Sequence, residues 1–251
     1  MNKACWDDFL TERDKQVFSQ GGFGAIAGMG KRPALLIIDV SYNFCGDKRE
    51  PILESIKRFH NSCGEDAWNS LPHIKSLRDK CHDKGIPVIY TTGIVRDDGW
   101  DKGSWAWKSS RTNEDVNNGA PNERDSNRDG NDIMDEIAPG PRDIVIRKLK
   151  PSAFFGTPLM AFLNDLGADS LIVTGTTTSG CVRASVLDAF SNNLRCTIVE
   201  EACFDRSQAS HAVNLCDMHA KYADVVSINE VLPRLEAIDP VYNLPTGSPL
   251  K

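Results

Sequence analysis

The sequence predicts an α/β fold, a six-stranded parallel sheet with helices on both faces, and three observations lead there. Six short apolar runs, at residues 34–39, 86–91, 143–147, 171–174, 196–199 and 224–228, have the length and near-continuous apolarity of strands covered on both sides. Helical periodicity fills most of the intervals, and strands alternating with helices build parallel sheets. The chain has 251 residues, 40% of them hydrophobic, with no break in composition, so one domain spanning 1–251 with one large core is expected. Residues 1–33 read as a peripheral N-terminal arm, 97–140 as a long loop, and 235–251 as a Pro-containing C-terminal tail.

In chain order, the first run, Ala34-Leu35-Leu36-Ile37-Ile38, delivers Asp39 to its end. Leu71, Ile74, Leu77 and Cys81 then recur at helical spacing, and Gly85 and Pro87 stop that helix before the second strand. The loop 97–140 is rich in Asp, Asn, Gly, Arg and Ser and is long for a connection, which marks a functional or disordered segment. It carries Trp100, Trp105 and Trp107, three of the five tryptophans. Such rings cover a pocket, meet another subunit or lie on their own surface; Trp105 and Trp107 are carried forward as substrate-pocket candidates. The third strand runs into Lys148. Leu159, Phe162, Leu163 and Leu166 form a helix closed by Gly167, and the fourth strand, 171–174, follows. After the fifth strand, residues 207–222 form a helix with Ala209, Ala212, Val213 and Cys216 inward. Parallel sheets bind ligands beyond the carboxyl ends of their strands, and Asp39, Lys148 and Cys181 all lie at or just beyond such ends.

The fourth strand continues through Thr174-Gly175-Thr176-Thr177-Thr178-Ser179-Gly180 to Cys181, after which Val182, Val186, Ala189 and Phe190 recur at helical spacing. A cysteine that opens a helix meets unpaired N–H groups and the positive end of the macrodipole, which favour thiolate and can hold an oxyanion. The competing role is a small hydrophobe in the core. Asp39 is either a carboxylate at the sheet mouth or the cap of the next turn, and Lys148, beside Arg147 and Lys150, is equally placed as a surface lysine. His60, His73 and His82 precede the second strand, and His211 and His219 lie on the late helix; none is placed as in Cys/His enzymes, and solvated or core roles are expected for all five.

The net charge is −6 with no dense Lys/Arg tract, which argues against nucleic acid as a partner. No apolar run is long enough to span a bilayer and the first residues lack a signal-peptide core, so a cytoplasmic protein without a membrane partner is expected. The eight cysteines read as reduced thiols. No Cys-x-x-Cys or His-x-x-x-His spacing occurs, and no metal is expected.

Three segments together resemble the isochorismatase-like cysteine hydrolases: Arg32-Pro33-Ala34-Leu35-Leu36-Ile37-Ile38-Asp39, the stretch from Val145 through Lys148 to Pro151-Ser152-Ala153-Phe154-Phe155-Gly156-Thr157, and Thr174 to Cys181. The resemblance covers roughly residues 30–235. It implies a Rossmann-like six-stranded sheet, an Asp39/Lys148/Cys181 triad, and a cis peptide between Thr176 and Thr177. It also implies that the Thr177 and Cys181 N–H groups form an oxyanion hole. Within the family, Thr177-Thr178-Ser179-Gly180-Cys181-Val182-Arg183-Ala184-Ser185 is most similar to the N-carbamoylsarcosine and maleamate amidases. There Arg206, in Asp205-Arg206 ahead of the late helix, falls at the place of an arginine that grips a substrate carboxylate, a task suited to a planar guanidinium; otherwise it is a solvated arginine. The implied activity is hydrolysis of a linear amide or N-carbamoyl group of a small carboxylic acid, releasing ammonia, without a cofactor. Maleamate-type and biuret-type amides remain alternatives, as does a non-catalytic binding or assembly module. The family's nicotinamidases hold a metal through an Asp/His cluster that cannot be placed here, since Val40-Ser41-Tyr42-Asn43-Phe44 brings no histidine near Asp39. The resemblance further implies a homo-oligomer, a tetramer.

Overall fold

The apolar runs become strands because backbone N–H and C=O groups removed from water must pair with neighbours. The computed structural model of the chain describes residues 4–94, 98–99, 103–108, 129–239 and 242. Within them β1 (Pro33–Ile38), β2 (Val88–Gly93), β3 (Ile144–Lys148), β4 (Ser170–Thr176), β5 (Arg195–Phe204) and β6 (Asp224–Val226) form one parallel sheet in the order β3-β2-β1-β4-β5-β6. The chain winds outward from β1 through β2 to β3, then returns to the other side of β1 with β4. That reversal opens a crevice at the carboxyl ends of β1 and β4, where sheets of this kind bind ligands.

The helices are α1 (Glu12–Gly21), α2 (Tyr42–Cys45), α3 (Ile52–Arg58), α4 (Glu65–Asp83), α5 (Trp105–Lys108), α6 (Leu159–Leu166), α7 (Arg183–Ser191), α8 (Gln208–Lys221) and α9 (Ile228–Glu236). Alternation along β1 divides the core between the two faces. Leu35 and Ile37 pack with Leu71, Ile74 and Leu77 of α4 and with Ile228, Val231 and Leu235 of α9. Ala34, Leu36 and Ile38 pack with Leu159 and Leu163 of α6, Val186 and Ala189 of α7, and Ala212 and Leu215 of α8. All these side chains are buried, each of the larger ones contributing roughly 1.5–3 kcal/mol.

The expected strands and helices are all present, with three corrections. β5 extends to Phe204 instead of ending at Val199. Glu200 and Glu201 interrupt the apolar run, but the ladder with β4 jumps from Val173↔Ile198 to Gly175↔Cys203, so a bulge absorbs them and pairing resumes. On α8, Ala212 and Cys216 are buried as expected, together with Leu215 and Met218, whereas Ala209 and Val213 face solvent. The arm is also less peripheral than expected. Trp6 is buried against His219, the Asp224 carboxylate accepts from the Ala27 and Gly28 N–H groups, and Asp169 accepts from those of Lys31 and Arg32. Part of the tail is tied to the arm as well, since the Tyr242 hydroxyl donates to the Pro33 carbonyl and the Arg32 guanidinium lies over its ring.

At Gly175 the backbone of β4 lies close against that of β1. Its φ of +106° is closed to most L residues, and a Cβ there would lie 2.1 Å from the Ile38 carbonyl oxygen. The residue after Ile38 is Asp39, so this contact sets the spacing between the two segments that frame the crevice.

Candidate active site

Asp39 is the first residue past β1. Its N–H continues the ladder to the Thr91 carbonyl (3.0 Å), and its φ of +54° turns the chain away at once, a conformation that Asp tolerates better than most residues. The Thr91 hydroxyl donates to Oδ1 (2.8 Å). Lys148 ends β3, two strands away, and its ladder partner on β2 is Gly93, which has no side chain to obstruct the path between them. The ammonium reaches Asp39 Oδ2 at 2.7 Å, with both side chains about 95% shielded (5% and 4% exposed), and also donates to the Lys150 carbonyl at 3.1 Å.

Cys181 comes from the other side of the switch point. β4 ends at Thr176, the Thr176–Thr177 peptide is cis, and residues Thr178–Val182 form a single wide turn before α7. The Thr177 carbonyl accepts from the Gly180 N–H (2.9 Å) and the Val182 N–H (3.2 Å). The Cys181 thiol lies beside both the Asp39 carboxylate and the Lys148 ammonium and interacts electrostatically with each. Asp39, Lys148 and Cys181 thus form one contact cluster at the crevice.

The electrostatics set burial against the helix-end effect that favours thiolate. Burial pushes the Cys181 thiol up to about 12, the Asp39 carboxylate adds to the rise, and Lys148 opposes it. Removing a charge from water works against the pull of a helix end, so burial holds the thiol toward its neutral form. For Lys148, burial works against the charge, yet Asp39 and the neighbouring sulfur overcome it and raise its pKa above the ordinary lysine range. The ammonium therefore stays charged.

Several residues that hold this geometry are unmarked by sequence reasoning. The buried Asp205 carboxylate accepts through Oδ2 from the Ser179 N–H and hydroxyl (2.7 Å each) and through Oδ1 from the Arg206 N–H (2.7 Å), pinning the turn two residues before Cys181. The Thr178 hydroxyl donates to the Phe204 carbonyl (3.2 Å) and lies 2.8 Å from His211 Nδ1. His211, expected to be solvated or in the core, is partly buried and hydrogen-bonded to the nucleophile turn, and burial lowers its pKa. Thr91 reads as one more β-branched strand residue, and only the Asp205-Arg206 pair gave a signal in advance.

Arg206 stands outside the triad contacts. It is exposed, and its Nη1 donates to the Asn61 carbonyl (2.9 Å). Trp105 is 53% exposed on α5. The side chain of Trp107, most of the loop 97–140, and most of the tail beyond residue 239 lie outside the described residues. Among the described residues, no group of three or more His, Cys, Asp and Glu side chains is gathered as metal ligands, and no helix is long and apolar enough to cross a membrane.

Comparison with known proteins agrees with this architecture. The Isochorismatase domain model matches residues 33–230. N-carbamoylsarcosine amidase from an Arthrobacter species is 30% identical over 237 residues, covering 90% of this chain and 80% of that protein. Maleamate amidohydrolase from Pseudomonas putida is 37% identical over 103 residues, 41% of this chain and 48% of that protein. Among solved structures, a cysteine hydrolase from Pseudomonas syringae pv. phaseolicola 1448A superposes with a TM-score of 0.71 at 20% identity, covering 86% of this chain and 98% of that one, which shows a common fold. With the domain model matched over most of its length, the chain belongs to the isochorismatase family of hydrolases.

Proposed function

We propose that this protein is a cysteine-dependent amidohydrolase that releases ammonia from an N-carbamoyl or acid-amide group of a small carboxylic acid. The observation that carries the reading is the cluster in which the Cys181 thiol contacts both a carboxylate and an ammonium whose own separation is 2.7 Å. A thiol held toward its neutral form needs a base at the moment of attack, and the adjacent carboxylate is that base. Asp39 takes the thiol proton as sulfur bonds to the carbonyl carbon, while Lys148 stabilises the sulfur's developing charge. The oxyanion is held by the N–H groups of Thr177 and Cys181, a contribution often among the largest in such reactions. The carboxylic acid of Asp39 then protonates the departing nitrogen and the C–N bond breaks. Water attacks the resulting thioester or thiocarbamate, Asp39 accepts its proton, and the thiol returns.

The acid substrate is supported by the two relatives named above, an N-carbamoylsarcosine amidase and a maleamate amidohydrolase, and by Arg206, an exposed guanidinium next to Asp205. A neutral, biuret-like diamide is the second reading, favoured by one observation: Nη1 of Arg206 is already engaged by the Asn61 carbonyl, as a structural arginine would be. Ammonia release from N-carbamoyl amino acids, maleamate-like acid amides and biuret-like diamides, by the parent protein and by Cys181→Ala, tests both. The expected result is turnover of an acid substrate that disappears in the variant. Turnover retained by Cys181→Ala would refute the covalent mechanism.

A further inference from the structure

We infer that Ser185 is a positioning residue that ties the lysine-bearing segment to the nucleophile's own peptide and thereby sets the Lys148–Cys181 geometry. The inference deepens the amidase reading and rests on it for the kinetic part of its test alone.

The need for such a tie follows from topology. Among the described residues β3 is an edge strand, paired only with β2, and Val145, Leu149 and Phe155 along it and just beyond are 45%, 47% and 67% exposed. The segment has little packing of its own on that side, yet its lysine must hold a position two strands away. After Lys148 the chain leaves the sheet, and the ammonium sits between Asp39 and the Lys150 carbonyl. The placement of residues 150–154 therefore bears directly on the placement of the charge.

Ser185, on the first turn of α7, uses one hydroxyl in both directions. It donates to the Cys181 carbonyl (2.7 Å) and accepts from the Ala153 N–H (2.9 Å). Donation from a serine to the carbonyl four residues back is common in helices and identifies nothing. The bond from Ala153 is different, because it joins the lysine segment to the peptide that carries the nucleophile. Ser185 is 1% exposed and Ala153 0%, so without the hydroxyl the Ala153 N–H loses its partner in a place water does not reach, and buried donors are seldom left so. A second tie lies farther along α7, where the Ser152 hydroxyl donates to Asp188 Oδ2 (2.5 Å) and accepts from the Phe154 N–H (3.1 Å).

The test uses the intact protein and two readouts that a merely structural serine would leave alone. One is the pH profile of Cys181 alkylation by iodoacetamide, located by peptide mapping; the other is the split of ammonia-release kinetics into kcat and KM. Ser185→Ala is expected to displace the alkylation profile to higher pH, because the ammonium no longer rests against the sulfur. It should lower kcat about ten-fold, the effect of one lost hydrogen bond, with KM changed less than kcat. Ser185→Thr, which keeps the hydroxyl, should return both readouts toward the parent. An unchanged profile with an unchanged kcat overturns the inference, whatever happens to the melting temperature. If Ser185→Ala fails to fold, Ser152→Ala is read by the same profile: an upward displacement supports the tie, and none overturns it. Alkylation requires no substrate, so a failure to release ammonia from any amide would count against the amidase reading while the profile still decides the role of Ser185.

Discussion

Replacing Gly175 by alanine probes a point where the backbones of β1 and β4 are in close contact. The added Cβ would meet the Ile38 carbonyl oxygen at 2.1 Å and its nitrogen at 2.7 Å, both backbone atoms of a central strand that cannot swing aside as a flexible side chain would. Two costs combine. Holding a non-glycine residue at a φ of +106° costs about 1–3 kcal/mol, and forcing an extra carbon into a close-packed region costs about 1–3 kcal/mol more. A total near 4 kcal/mol, at about 2–4 °C per kcal/mol for a chain of this size, lowers the melting temperature by roughly 8–16 °C. The displacement falls between Ile38, which precedes Asp39, and Thr176, which precedes the turn bearing Cys181. Ammonia release measured well below the melting point should therefore fall more steeply than the folded fraction. Calorimetry paired with that assay checks both effects. A variant melting within about 2 °C of the parent and retaining its turnover would show that the Gly175 contact does not govern the crevice.

Lys148→Met should reduce turnover about a hundred-fold or more and destabilise the fold by about 3–5 kcal/mol, since one partner of a buried ion pair is removed. Lys148 has a raised pKa in the folded protein, so the pair's contribution is complete below the ordinary lysine value of about 10.4 and is lost as pH rises through the raised one. The stability gap between parent and variant in urea should accordingly narrow above about pH 10.4, and a gap that stays constant there would contradict the pairing. With the Cys181 thiol pushed up to about 12, its alkylation in the absence of substrate should still be accelerating at about pH 10, whereas a plateau near neutrality would point to a standing thiolate. Arg206→Ala should raise KM for an acid substrate and spare a neutral diamide; equal losses for both would assign Arg206 a structural role. Ammonia release should persist after exhaustive chelation, since no ligand group is gathered among the described residues, and restoration of a lost activity by added zinc or manganese would refute this.

The strands are legible along the chain, because a strand covered on both faces must be apolar throughout; Leu35 to Ile38 and Leu171 to Val173 carry that requirement openly. The nucleophile's setting is legible for a related reason, since the Gly/Thr hinge followed by helical spacing at Val182, Val186 and Ala189 leaves Cys181 only one place on the chain. The sequence did not determine that Lys148 would cross β2 to reach Asp39. That contact depends on the sheet order, which places β1 between β2 and β4, and strand order is a matter of pairing between distant segments. Nor did it determine the direction in which the Cys181 pKa moves: the residue types at a helix start favour a thiolate, but burial beside Asp39, a property of the assembled crevice, pushes the thiol up. Asp205, His211, Thr91 and Ser185 were likewise undetermined, because each is an ordinary surface, helix or strand residue until folding brings its polar atoms within about 3 Å of the segments bearing the triad. Hydrophobic periodicity is written along the chain, whereas a hydrogen bond between residues 32 or 52 positions apart, as for Ser185 with Ala153 and Thr91 with Asp39, exists only once the tertiary structure has closed the distance.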